Sequence, residues 1–130
     1  MKKHNGYGIS AIKAVKNKHL FSTPEEAWEF AVDDSFKSES SKAKGCPKNA
    51  FLGLCEAGFV KGIPKGDYTR SIKNKNYSLT AINILKANTE LTFTPRILWE
   101  EVVVQLDLGK KQHSSQMDVV LALWDEQLIT

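Results

Sequence analysis

Five cationic side chains and a single acid fall within Lys61-Gly62-Ile63-Pro64-Lys65-Gly66-Asp67-Tyr68-Thr69-Arg70-Ser71-Ile72-Lys73-Asn74-Lys75. Lys61, Lys65, Arg70, Lys73 and Lys75 are of the type that holds phosphate groups, because charge supplies affinity and glycine lets backbone amides approach an oxyanion. Tyr68 adds a ring on which a base can stack. The stretch matches no phosphate-loop signature: GxxxxGK[ST] is absent, and Pro64 removes an amide donor from any nest built on residues 62–66. It therefore points to contact with phosphates, nucleic-acid backbone above all, without sequence readout. A solvated basic loop has the same composition, and in such a loop a tyrosine packs its ring on the neighbouring helix. A helix-turn-helix fits poorly. The connection from Phe59 to Lys75 is too long, and the apolar helix after it is unsuited to reading a groove.

A second polar cluster, His113, Ser115 and Asp118, contains the residue types of a hydrolytic triad. No GxSxG elbow or other nucleophile frame accompanies it, and Ser115 with Asp118 is already accounted for as a helix start. His4 and His19 are remote in sequence. Cys46 and Cys55 lie nine apart with no CxxC, so neither a zinc site nor a disulfide framework is indicated. Cys46, next to Pro47 at a helix start, sits where the helix dipole can activate a thiol; burial is the simpler reading, and Cys55 belongs to a core face. No catalytic residue, metal or cofactor is assigned, and the chain reads as a binding protein rather than an enzyme.

The elements that must position these groups are helical. The chain has 130 residues, is 42% hydrophobic and carries a net charge of +3, which fits one domain over residues 1–130. The charge is polarised: residues 1–75 hold 14 basic and 8 acidic side chains, residues 76–130 hold 4 and 7. Lysines interrupt the apolar residues near the N-terminus, which argues against a secretory signal, and no stretch is long enough to span a membrane. Two reduced thiols then suggest the cytoplasm.

Tyr7, Ile9, Ala11, Ile12, Ala14 and Val15 make the stripe of a first helix ending near Lys18. Thr23-Pro24-Glu25-Glu26 is a capping box with proline at N1, so a second helix starts at Pro24 with Ala27, Trp28, Ala31 and Val32 inward. Its acidic face is expected near the lysines of the first helix. Residues 37–45 read as a mobile loop. A third helix runs from Pro47 to Gly58, a fourth from Asn76 to Ala87, a fifth from Pro95 towards Gly109, and a last one is capped by Ser115. The spacing predicts an all-α single compact domain of five to six helices, with the basic loop between the third and fourth. Its structural centre is expected over residues 45–88. The expected core holds Trp28, Phe51, Leu54, Ile84, Leu85, Leu98, Val102, Leu121 and Trp124.

The segment from Cys46 to Leu85, together with His113-Ser114-Ser115-Gln116-Met117-Asp118 and the apolar run after it, resembles a family of small, mostly bacterial proteins known only as a domain of unknown function. The resemblance covers roughly Pro24 to Ile129 and implies no activity, ligand or catalytic residue. Two functions remain open: a non-catalytic module contacting phosphates or nucleic-acid backbone through residues 61–75, or a protein-interaction or accessory protein, homodimeric through apolar residues of the fifth helix and the C-terminus.

Overall fold

Asn5 opens the first helix by accepting from the backbone N–H groups of Tyr7 and Gly8 at 3.1 and 3.0 Å, satisfying two of the donors every helix leaves free at its start. The computed structural model describes residues 4–130, so the basic start Met1-Lys2-Lys3 lies outside them. Helix α1 is Gly6–Lys16 and is followed by a 3-10 turn, Lys18–Leu20. Helix α2, Pro24–Ser35, carries the capping box that its sequence predicts: Thr23 Oγ1 accepts from Glu26 N at 3.1 Å, and Glu26 Oε1 accepts from Thr23 N at 3.3 Å. Then come α3 (Glu39–Lys42), α4 (Gly45–Glu56), α5 (Ile72–Ala87), α6 (Pro95–Leu106) and α7 (Gln116–Asp125). The described residues form an all-α, single compact domain with six long helices and no strand beyond an isolated bridge between Val60 and Ile129. None of these helices is long and apolar enough to cross a membrane.

Several boundaries differ from the sequence reading for local reasons. Helix α4 starts at Gly45 rather than Pro47, which puts partly exposed Cys46 inside its first turn. Helix α5 starts at Ile72 rather than Asn76, because Ser71 Oγ accepts from Asn74 N. The loop expected over 37–45 contains α3, capped by Ser38 and tied to α2 through Lys42 and Asp33 at 2.9 Å. Lys13 of α1 meets Asp34 of α2 at 2.6 Å, as the charge pattern suggests, whereas Glu25 and Glu29 turn to Lys48 of α4 at 2.7 and 2.8 Å.

The packing centre is α7. Met117, Val119, Val120, Leu121, Ala122 and Leu123 are all buried, and α1, α4, α5 and α6 all touch this helix. A helix apolar on every side must be enclosed on every side. Trp28, Phe51, Leu54, Ile84, Leu85, Leu98, Val102 and Leu121 are buried as expected. Trp124 is not: it lies at the end of α7, half-buried beside Lys61 and Gln127. Trp99 takes a deeper place, with Tyr77 edge-on to it at 5.2 Å.

Two contacts set the frame for the basic turn. At Gly53 a Cβ would come within 2.6 Å of Lys75 Cα, so α4 and α5 touch backbone to backbone there. At the other end, the C-terminal segment docks on the start of the turn. Lys61 N donates to Leu128 O, and Thr130 N to Phe59 O, both at 2.9 Å.

Candidate functional site

Glu56, in the last turn of α4, organises the basic turn from within. Its Oε1 accepts from the backbone N–H groups of Tyr68 and Thr69 at 2.8 and 3.1 Å, and its Oε2 pairs with the Lys75 ammonium at 2.6 Å. The close crossing at Gly53 brings Lys75 within reach. Lys75, followed by the Thr69 and Tyr68 amides, holds the Glu56 carboxyl down to about 2. The turn is also anchored by its apolar residues, since Val60 and Ile63 are buried.

The remaining cations point outward. Lys61, Lys65, Arg70 and Lys73 are exposed and have no acidic partner among the described residues. Lys73 and Lys75 are helical, in the first turn of α5, rather than part of a loop. Lys65 lays its methylenes over Gly58, whose φ of +83° closes α4 in the left-handed conformation that the sequence predicts. Tyr68 is tied down: its hydroxyl donates to Pro64 O at 2.8 Å, and its ring lies on the bare backbone of Gly66.

A sixth cation joins from a distant part of the chain. The Lys18 side chain crosses Gly62, where a Cβ would collide with Lys18 Cε and come within 2.7 Å of its Nζ. Between the 3-10 turn and the basic turn lies a cleft of about 320 Å3, lined among others by Lys18, Phe21, Ser22, Ile63, Pro64 and Tyr68. The predicted residues do not share one concavity. Tyr68 lines this cleft, whereas Lys61, Lys73 and His113 each border a different depression.

The basic turn and the second cluster are nevertheless connected. Thr69 Oγ1 donates to Asn49 Oδ1 at 2.7 Å and accepts from Ser71 N, Asn74 Nδ2 donates to Ser71 Oγ, and Gln116 Nε2 donates to Asn74 Oδ1 at 3.1 Å. Gln116, 2% exposed, completes the chain by accepting from Ser114 N at 2.7 Å. A buried amide needs such partners on both its ends.

Within the second cluster, the capping role passes from Ser115 to His113. Ser115 makes no side-chain cap and has φ +68°, while His113 Nε2 accepts from Met117 N at 3.1 Å. That nitrogen lone pair is thus engaged by the start of α7. The Ser115 hydroxyl accepts from Asn5 Nδ2 at 3.5 Å, and Asp118 Oδ2 stands 3.9 Å from His113 Nε2. Burial lowers the His113 pKa, with Asp118 opposing and Lys44 adding to the shift. Burial raises that of Asp118. The arrangement can cap a helix; it does not line up a hydroxyl with a base.

Fold and site together define a small all-helical domain with a basic turn stapled from inside by a carboxylate. The chain belongs to a family of unknown function (DUF6979), which matches residues 4–130. No curated protein and no solved structure matches it.

Proposed function

We propose that this protein is a non-catalytic binding module that contacts phosphate groups of nucleic-acid backbone through the basic turn. The observation that carries the reading is the division of labour around Glu56. Its charge goes to Lys75 and its lone pairs to the turn's amides, leaving Lys61, Lys65, Arg70 and Lys73 exposed and without an acidic partner among the described residues, on an anchored backbone. A turn whose backbone is already anchored loses little further freedom on binding, and released counterions supply the driving force. Lys18 extends the same surface, while Lys75 serves as a strut. The free thiols Cys46 and Cys55 suit a cytoplasmic setting.

Fluorescence anisotropy of labelled DNA and RNA at two or more salt concentrations tests this. Four to five phosphates neutralised predict a log–log salt slope of roughly −3 to −4. Replacing Lys61, Lys65 and Arg70 together by alanine should reduce that slope by about 2, since each lost cation releases one contact. Replacing Lys110 and Lys111, exposed cations elsewhere on the chain, should not. Equal binding by all variants, or no binding at low salt, refutes the reading.

A protein-interaction role is the second reading, favoured by α6. Its Ile97 and Val104, one heptad apart, are 40% and 74% exposed. Light scattering tests self-association through this face: loss of a dimer on Val104→Lys supports it, and a monomer at high concentration counts against it.

A further inference from the structure

We infer that the cleft between the 3-10 turn and the basic turn receives one unstacked nucleobase, so that single strands are the preferred ligand; this rests on the backbone-binding reading above. At about 320 Å3 the cleft is near the lower end of ligand sites, large enough for one ring system. Its apolar lining comes from Phe21, Pro24, Ile63, Pro64 and the Tyr68 ring. Ile63 is buried and Phe21 half-buried beneath the surface, and Tyr68 presents a ring whose position is already set. Gly66 supports that ring at bare backbone, and the hydroxyl bond to Pro64 O limits its rotation. A stacking platform that is ordered before binding loses little entropy when a base arrives.

The charges are arranged for the rest of a nucleotide. Lys18 lies across Gly62 at the cleft, so a phosphate next to a seated base meets its ammonium group, while Lys61 and Lys65, outside the cleft on the same turn, are left for phosphates further along the strand. Ser22 is among the residues that line the cleft and adds a polar group to it. In a duplex the bases stay stacked and paired, and entry would require extruding one at a cost of a few kcal/mol. An unpaired strand has no such cost. Stacking on a tyrosine is tolerant of base identity, consistent with a surface that carries no groove-reading helix.

The test compares an unstructured labelled oligothymidylate with the same strand in duplex with oligoadenylate, by anisotropy at one low salt concentration. The native protein should prefer the single strand by roughly 5- to 150-fold, the worth of one stacked base. Ser22→Trp fills the cleft and Tyr68→Leu removes its ring; each should erase the preference, whereas Tyr68→Phe should keep it. Circular dichroism establishes that the variants are folded, and agreement between the two variants guards against a fault in either. Equal affinity of the native protein for both forms, or a preference that survives Ser22→Trp and Tyr68→Leu, overturns the inference. If neither form binds, the backbone reading itself falls. The cleft is then decided by titrating thymidine monophosphate and following the amide resonances of Gly62, Ile63 and Tyr68. A saturable shift abolished by Ser22→Trp upholds it, and no shift overturns it.

Discussion

Removing the Glu56 carboxylate should release the basic turn, and the size of the effect follows from its three contacts. Glu56→Ala leaves the N–H groups of Tyr68 and Thr69 without their acceptor, each bond worth about 1 kcal/mol. It also breaks an ion pair at 2.6 Å whose side chains are only 28% and 14% exposed, worth about 1 kcal/mol after allowance for solvent screening. The sum is about 3 kcal/mol. With a urea dependence of about 2 kcal/mol per molar, the unfolding midpoint should fall by about 1.5 M at neutral pH. Glu56→Gln keeps an acceptor for both amides and loses only the charge, so its midpoint should fall by about 0.5 M.

The pH dependence separates these terms. The folded-state pKa of Glu56 is about 2 against an ordinary value of 4.5. The unfolded chain therefore takes up the proton first as pH falls, and the stabilisation is complete above about 4.5 and lost towards pH 2. Over that window the difference between the native protein and Glu56→Gln should close. Amide exchange at Tyr68 and Thr69 should accelerate in Glu56→Ala while α7 stays protected. Identical midpoints for the native protein and Glu56→Ala, or a native–Gln difference that persists unchanged at pH 2, would refute the staple.

Two further substitutions probe neighbouring parts of the frame. Gly53→Ala would ordinarily favour a helix by up to about 1 kcal/mol, but here the new Cβ meets Lys75 backbone at 2.6 Å, so a net loss of about 1–2 kcal/mol is expected. Calorimetry checks it, and a raised Tm would contradict the close crossing. His113, whose folded pKa lies below 6.5, binds a proton more readily when unfolded, so it should cost stability progressively as pH drops below about 6.5. His113→Asn should flatten the urea midpoint between pH 6.5 and 5; an unchanged slope would remove His113 from its capping role.

The candidate site was legible only as a composition. Lys61, Lys65, Arg70 and Lys73 were recognisable as a cationic run, and they are the cations left exposed. Nothing in the run distinguishes Lys75, whose partner Glu56 lies 19 residues earlier in another helix. Lys18 was read as the end of a helix; only folding carries it across Gly62. Glu56 itself gave a weak signal, as one of only two acids, with Asp67, among the eight cations of residues 42–75. The connection from Thr69 through Asn74 to Gln116 had no signal, because asparagine, serine and glutamine announce nothing until their partners are known.

What the sequence determined by itself is what neighbours within about four residues decide. Thr23 with Glu26 and Thr94 with Ile97 cap their helices over three residues, Gly58 closes α4 through its own φ, and the i, i+3, i+4 spacing of Ala27, Trp28, Ala31 and Val32 marks the buried face of α2. These terms act in the same way wherever the helix ends up, so they can be read before the fold is known. Tertiary structure decided the rest. It enclosed α7 on all sides although α4 and α5 carry the longer conspicuous segment, left Trp124 at the rim, and moved the cap of α7 from Ser115 to His113. It also joined Glu56 to amides 12 and 13 residues away. Those outcomes depend on which helices approach each other and how closely, as at Gly53, where the missing side chain acts only through a backbone it meets after folding.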